Sequence, residues 1–527
     1  MAVPAIVEAG VLRATRLGSA AALAPQFGLP GAAGTFHDLR WLLVYHDSWL
    51  SFAGLLAAMV IGRGVFTAAA VWAAWPDERS PRLRELIPRN LVVAVVSVVL
   101  LSPWAAVAMA ASETSLSWFV IGELVPFMVL AVAMARGPVD PGWWRRPPGL
   151  APTGWTLLLI LVATAGGMLV AFTPGWWVIP VAGAAAVANA FVWQRLVAAA
   201  RRPVVRLSRA PVAALLAVLV FGALALSGTA ATFASSTVGD VTGAAQAFQV
   251  PSVSVMYVGG YDSAFNGAAV APTVGVFSYR GLDQHGQPLP YDAVDTHQSV
   301  DRSARLLAEE VNAFHQRTGR PVALVAESEG TVVVRDYLDT QPHANVTTAV
   351  MMSPLVRPGR IYYPPPDAAA GWGLAGGWEL RGLLWLVRLT NDSQISPDEP
   401  FVRSILNRAP LYRDRMLCPV AGVRMVAFLP TAEAAVVPPE LHAEIPVLEI
   451  PGVHASLGSR ADVQAQVHAF LAGSPPSDHE SGPGYALIQK AAAAWQAPAL
   501  LIRLNPAWPD GVPDASLGED GCGYPTG

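Results

Sequence analysis

The chain has 527 residues, 53% hydrophobic and only 14% charged, with a mean hydropathy of +0.42. Soluble domains carry roughly 25% charged residues, so much of this chain is expected in lipid, and its length calls for more than one domain. A net charge of −4 without a basic block gives no footprint for nucleic acid, and two cysteines exclude both a disulfide-dense scaffold and a multi-cysteine zinc site.

Residues 1–48 carry no signal-peptide pattern, and their end, FHDLRWLLVYHD (36–47), reads as interfacial. Six apolar stretches follow within 49–234, at 50–75, 91–112, 117–135, 155–173, 176–194 and 211–233. Each is long enough to cross a bilayer as a helix, which takes about 20 residues. Tryptophans near several ends (Trp49, Trp75, Trp118, Trp155, Trp176, Trp177) suit interfacial anchors. Arginines alternate between the connections. Arg79, Arg82, Arg84 and Arg89 follow the first span, Arg136, Arg145 and Arg146 the third, and Arg195, Arg201, Arg202, Arg206 and Arg209 the fifth. The connections around 112–115 and 173–175 hold none. The arginine-rich side is expected to be cytoplasmic. The chain from about 235 onward and residues 1–48 are then extracytoplasmic, in a multi-pass protein of the cell membrane. Arg63 and Glu123 fall inside spans, where they are expected either to fix helix packing as a pair or to serve transport.

From about 250 the pattern alternates. Strands are expected at 251–260, 273–281, 322–327, 347–354, 423–430 and 445–452, with helices at 299–319, after 330 and at 461–473. Strands separated by helices predict an α/β domain (235–480), a mostly parallel sheet with helices on both faces. Functional residues belong at the C-terminal ends of its strands. The tail, 481–527, is expected to pack on this domain. Cys418 and Cys522 both lie on the outer side, as a candidate disulfide or as two thiols.

Residues 326–330 read Ala-Glu-Ser-Glu-Gly between a strand and a helix. A tight turn there lifts the Ser328 hydroxyl above the sheet, with small residues two before and two after it. The alternative role is a helix cap. A serine nucleophile needs a base. His454, just past the last strand, is the candidate; His442 precedes that strand, and His297 comes too early in the chain. The loop after 423–430 offers Glu433 as the orienting acid, with Glu440 as fallback. For an oxyanion hole, the candidates are the N–H of Glu329 and that of Tyr261, or alternatively Gly260, in the loop VGGYD (258–262).

The order glycine-pair loop, serine turn, acid, histidine resembles the α/β-hydrolase superfamily in its lipase and esterase branch, over roughly residues 250–473. Three features depart from that pattern. Gly259-Gly260 stands where relatives have His-Gly, the acid is glutamate rather than aspartate, and glutamates flank Ser328 on both sides. The resemblance implies an α/β-hydrolase-type domain after a six-helix membrane bundle, and cleavage of a carboxylic ester through an acyl-enzyme. It implies no metal or organic cofactor. The insertion at 357–410 takes the position of a cap or lid, and Trp372, Trp378 and Trp385 give it an apolar surface that either meets the bilayer or packs on the core. A lipid or other acyl ester is the expected substrate. Acyl transfer on the same triad is one alternative. A silent hydrolase-fold sensor or transport-associated protein is another, because six spans exceed what anchoring requires.

Overall fold

The computed structural model describes the chain except for residues 16, 77–80, 112–123, 146, 202–240, 357, 390–395, 414, 431–443, 451–453, 455–456, 477–486, 488–489, 509–521 and 523–527. Its N-terminal part is helical: α1 (Ala2–Ala14), the single turn α2 (Ala24–Phe27), α3 (Gly31–Val44), α4 (Trp49–Ala73), α5 (Leu83–Ala111), α6 (Val125–Ala133), α7 (Leu150–Ala171) and α8 (Val178–Arg201). Among the described residues, four helices are long and apolar enough to cross a membrane: α4, α5, α7 and α8 together with the turn before it. The start of the expected span at 117–135 and all of that at 211–233 lie outside the described residues; α6 covers much of the rest of the former.

Helix α4 begins where Ser48 and Ser51 exchange side-chain and backbone hydrogen bonds, satisfying two N–H groups that the helix itself cannot. Helix α5 starts eight residues before the expected 91, so Arg84 and Arg89 are helical rather than in the connection. A hydropathy window ends at the first charges, but the backbone does not. Arg89 continues the helix and donates to the Val139 carbonyl at 2.8 Å. Residues 36–47 include the end of α3, which packs against α5 with Phe36, Leu39 and Leu43 buried.

Glu123, the expected partner of Arg63, lies outside the described residues, and Arg63 is held by other groups. Its guanidinium pairs with Asp38 on α3 and donates to the Phe27 and Leu29 carbonyls, both at 2.9 Å. Among the described residues its ionic partner is thus Asp38, in a segment that hydropathy reads as peripheral. Asp38 also meets His37, which reaches Glu8 at 3.1 Å.

The second half holds a short helix α9 (Thr242–Ala247) and six strands: β1 (Ser254–Val258), β2 (Val274–Val276), β3 (Val322–Glu327), β4 (Val346–Met352), β5 (Arg424–Pro430) and β6 (Val447–Ile450). All pair in parallel, in the order β2-β1-β3-β4-β5-β6. Helices α10 (Val300–Thr318), α11 (Glu329–Thr340) and α15 (Ala461–Leu471) pack on it. β1 and most of β3 and β4 are buried on both faces, as parallel strands between helices are. Helix α10 stops at Gly319, whose φ of 62° ends it. β1 has β2 on one side and β3 on the other, so the crevice at the strand ends opens between β1 and β3.

The segment between β4 and β5 contains α12 (Leu374–Arg388), α13 (Pro400–Asn407) and the turn α14 (Ala409–Tyr412). Helix α12 lies on the bundle. Ala375 N–H donates to His46 Nε2 at 2.7 Å, the Ser102 hydroxyl donates to Glu379 at 2.6 Å, and Leu380 joins the bundle's apolar core. Trp378, Trp385, Leu386 and Leu389 remain exposed. The tail also reaches the bundle: Trp495 is buried, 5.1 Å from the Phe127 ring, and donates to Thr164 at 2.9 Å. It returns to the α/β domain through Leu500, which pairs with Arg360 and Arg413, and ends in a disulfide between Cys522 and Cys418.

Candidate functional site

Three non-glycine residues adopt positive φ among the described residues: Asp262, Ser328 and Ser353. They follow the C-terminal ends of β1, β3 and β4 in turn. Side chains rarely tolerate this conformation, and it persists only where the surroundings hold it. Ser328 has φ 55° and ψ −120° and stands alone between β3 and α11. Its N–H donates to the Met352 carbonyl at 3.0 Å, and its carbonyl accepts from the N–H of Thr331 at 3.0 Å. Its side chain makes no cap bond to the helix. The hydroxyl oxygen instead lies 2.6 Å from Nε2 of His454.

The glycines show why this turn needs small neighbours. A Cβ on Gly330 would lie 2.4 Å from the Val258 carbonyl oxygen and 2.8 Å from that of Gly259. A Cβ on Gly260 would meet Ser328 Cβ at 2.9 Å. The backbone after β1 therefore runs directly against the serine turn. Tyr279 donates to the Gly259 carbonyl at 2.7 Å, and Ser263 N–H closes a turn onto Gly260 at 3.1 Å. Among the described residues no acceptor engages the N–H of Gly260, Tyr261 or Glu329. These are the three donors expected from the sequence.

The flanking glutamates differ in kind. Glu327 accepts from the Tyr257 hydroxyl at 2.7 Å and from the N–H of Gly458 at 3.4 Å, four residues past His454. Glu329 is 1% exposed, and neither carboxyl oxygen has a hydrogen-bond partner. Burial, then the nearby Glu399 and Asp262, push its carboxyl well above the usual carboxylate range.

Glu433 and Glu440 lie outside the described residues, as does His442. His297 does not meet Ser328. It packs on the other side of the β1 loop, stacked on the Tyr261 ring at 4.4 Å, with Nε2 2.8 Å from Asp262 and Nδ1 3.3 Å from Glu399. Glu399, from the insertion, also accepts from the Tyr261 hydroxyl at 2.7 Å. Sequence reading did not find Glu399, since nothing local marks one acid of a long insertion as returning to β1. Among the described residues no group of three or more His, Cys, Asp or Glu side chains is arranged to hold a metal. A cleft of about 610 Å³ between α10 and α13, lined by Ser299, Asp301, Arg305, Arg403 and Arg408 among others, includes neither Ser328 nor His454 in its lining. No family model, no curated protein and no solved structure matches the chain.

Proposed function

We propose that the chain is a membrane-anchored serine hydrolase cleaving carboxylic esters, with an α/β-hydrolase-type domain held outside the membrane. The observation that carries this reading is the 2.6 Å approach of Ser328 Oγ to His454 Nε2 at a strained turn. A cap or surface serine has no need of positive φ, whereas a nucleophile must stand clear of the sheet.

In this reading Nε2 of His454 takes the Ser328 proton as the oxygen attacks the ester carbonyl. Glu433 is the acid assigned to Nδ1. The tetrahedral oxyanion is received by the N–H of Glu329 and that of Tyr261, with Gly260 as alternative, each worth about 2.7–4 kcal/mol. His454 then protonates the leaving alcohol. Water, activated by the same imidazole, releases the acid from Ser328.

A lipid-like acyl ester is the substrate class. Four apolar helices and the exposed Trp378, Trp385, Leu386 and Leu389 on a helix docked against them support it. The orientation is supported by which helix ends meet the outer domain. Contacts with α12 and the tail fall at the start of α4 and toward the ends of α5 and α7 (His46–Ala375, Met109–Gly376, Ala171–Lys490). Arg82, Arg136, Arg145 and Arg201 fall at the opposite helix ends.

Full-length protein in detergent should react with a fluorophosphonate probe and hydrolyse p-nitrophenyl esters. Ser328→Ala should lose both while keeping its melting temperature. Labelling that survives in Ser328→Ala, or a wild-type protein inert to both reagents, rejects the assignment.

A further inference from the structure

The loop that would receive the oxyanion is held by residues that the proposed chemistry does not use. Tyr261 and Asp262 sit side by side in it. The Tyr261 ring is stacked on His297 with an interplanar angle of 3°, and its hydroxyl is tied to Glu399 at 2.7 Å. Asp262, at φ 60°, is tied to Nε2 of the same imidazole at 2.8 Å, and its N–H donates to Thr296 at 3.0 Å. Nδ1 of His297 faces the other oxygen of Glu399 at 3.3 Å. One imidazole thus stands between the carboxylates of the loop and of the insertion, and one carboxylate holds both the imidazole and the tyrosine.

The insertion end of this arrangement is anchored in turn. Asp398, next to Glu399, takes two hydrogen bonds from Arg381 of α12, at 2.7 and 2.8 Å. Helix α12 rests on the membrane helices through Glu379 and Leu380. A continuous set of contacts therefore runs from α5 to the loop beside Ser328.

We propose that His297 and Glu399 are positioning residues that clamp the Tyr261–Asp262 loop in the geometry needed for oxyanion stabilisation, and that the insertion sets this clamp from its seat on the membrane helices. The inference rests on the hydrolase reading of Ser328. A donor shifted by about 1 Å costs on the order of a hundredfold in rate, and a positive-φ aspartate holds its conformation only while its partners hold it.

The test uses full-length protein in detergent with p-nitrophenyl butyrate. His297→Ala and Glu399→Ala should lower kcat about 10- to 100-fold. KM should stay within about twofold, because an oxyanion donor acts on the transition state rather than on bound ester. His297→Gln and Glu399→Gln, which keep one polar contact each and guard against loss of fold, should recover part of kcat. Amide hydrogen exchange across 259–263 should quicken in the alanine variants. Unchanged kcat, or unchanged exchange in that loop, overturns the clamp. A wild-type protein without turnover defeats the hydrolase reading instead, and loop exchange then decides the clamp alone.

Discussion

Glu327 and Gly458 meet through a carboxylate oxygen and a backbone N–H at 3.4 Å, joining the serine turn to the loop that carries His454. The contact spans 131 positions of sequence and adds to the Tyr257 hydroxyl held by the same carboxylate. Glu327→Ala should leave Ser328 in place and release the histidine loop. The expected result is a kcat lower by about 10- to 100-fold with little change in KM. Glu327→Gln, whose amide oxygen still accepts from Tyr257, should be milder. Equal turnover in Glu327→Ala and wild type would remove this role.

Glu329 gives a pH prediction. Its folded-state pKa is raised by burial, so the native state holds a proton that the unfolded state releases from about its ordinary value of 4.5 upward. The favourable contribution is fully present below that value and is lost as pH rises toward the folded pKa. Glu329→Gln keeps the shape and removes the titration. The variant should therefore gain stability relative to wild type as pH increases, with little difference in acid. Parallel melting-temperature curves for the two proteins over that range would contradict a protonated Glu329.

The Cys418–Cys522 bridge joins residues 104 apart. A cross-link of that span restricts the unfolded chain, and its loss costs about 2–5 kcal/mol. Cys522→Ser should lower the melting temperature, and reducing agent should do the same to wild type but not to the variant. Alkylation before and after reduction checks the bridge itself. Free thiols in non-reduced protein would reject it.

Asp38 and Arg63 form a buried pair within the bundle, the arginine side chain 5% exposed. Removing one partner strands a charge, at about 3–5 kcal/mol. Asp38→Ala and Arg63→Ala should each destabilise the protein in detergent, and Asp38→Leu combined with Arg63→Met should recover much of the loss. Additive effects in the double variant would show that the two side chains act independently.

The strands were legible because each is a short, largely apolar run with glycine or proline close by in the sequence, and the observed bounds fall within or close to the expected runs. The pairing of Ser328 with His454 was legible from chain order on a parallel sheet, which fixes which loops share an edge. Partners set by three-dimensional approach were not. Asp38 lies in a segment that hydropathy reads as peripheral. The seat of α12 on the bundle was hidden for another reason. A helix bearing tryptophans and leucines reads alike whether it caps a site, meets lipid or docks on other helices. His297 was set aside because chain order excludes it as a base, yet the same position suits it to hold the β1 loop from behind. The cysteine pair depended on Cα proximity, which spacing does not encode.

The route of the tail has a consequence for biogenesis. Trp495 docks in the helical bundle, Leu500 returns to the α/β domain, and Cys522 is bonded to Cys418. A segment made after both the bundle and the sheet thus fastens the two halves. Neither half completes its apolar contacts until Trp495 and Leu500 have been made. A chain stopped short of Cys522 would lack this cross-link, so the bond reports that translation has passed that residue.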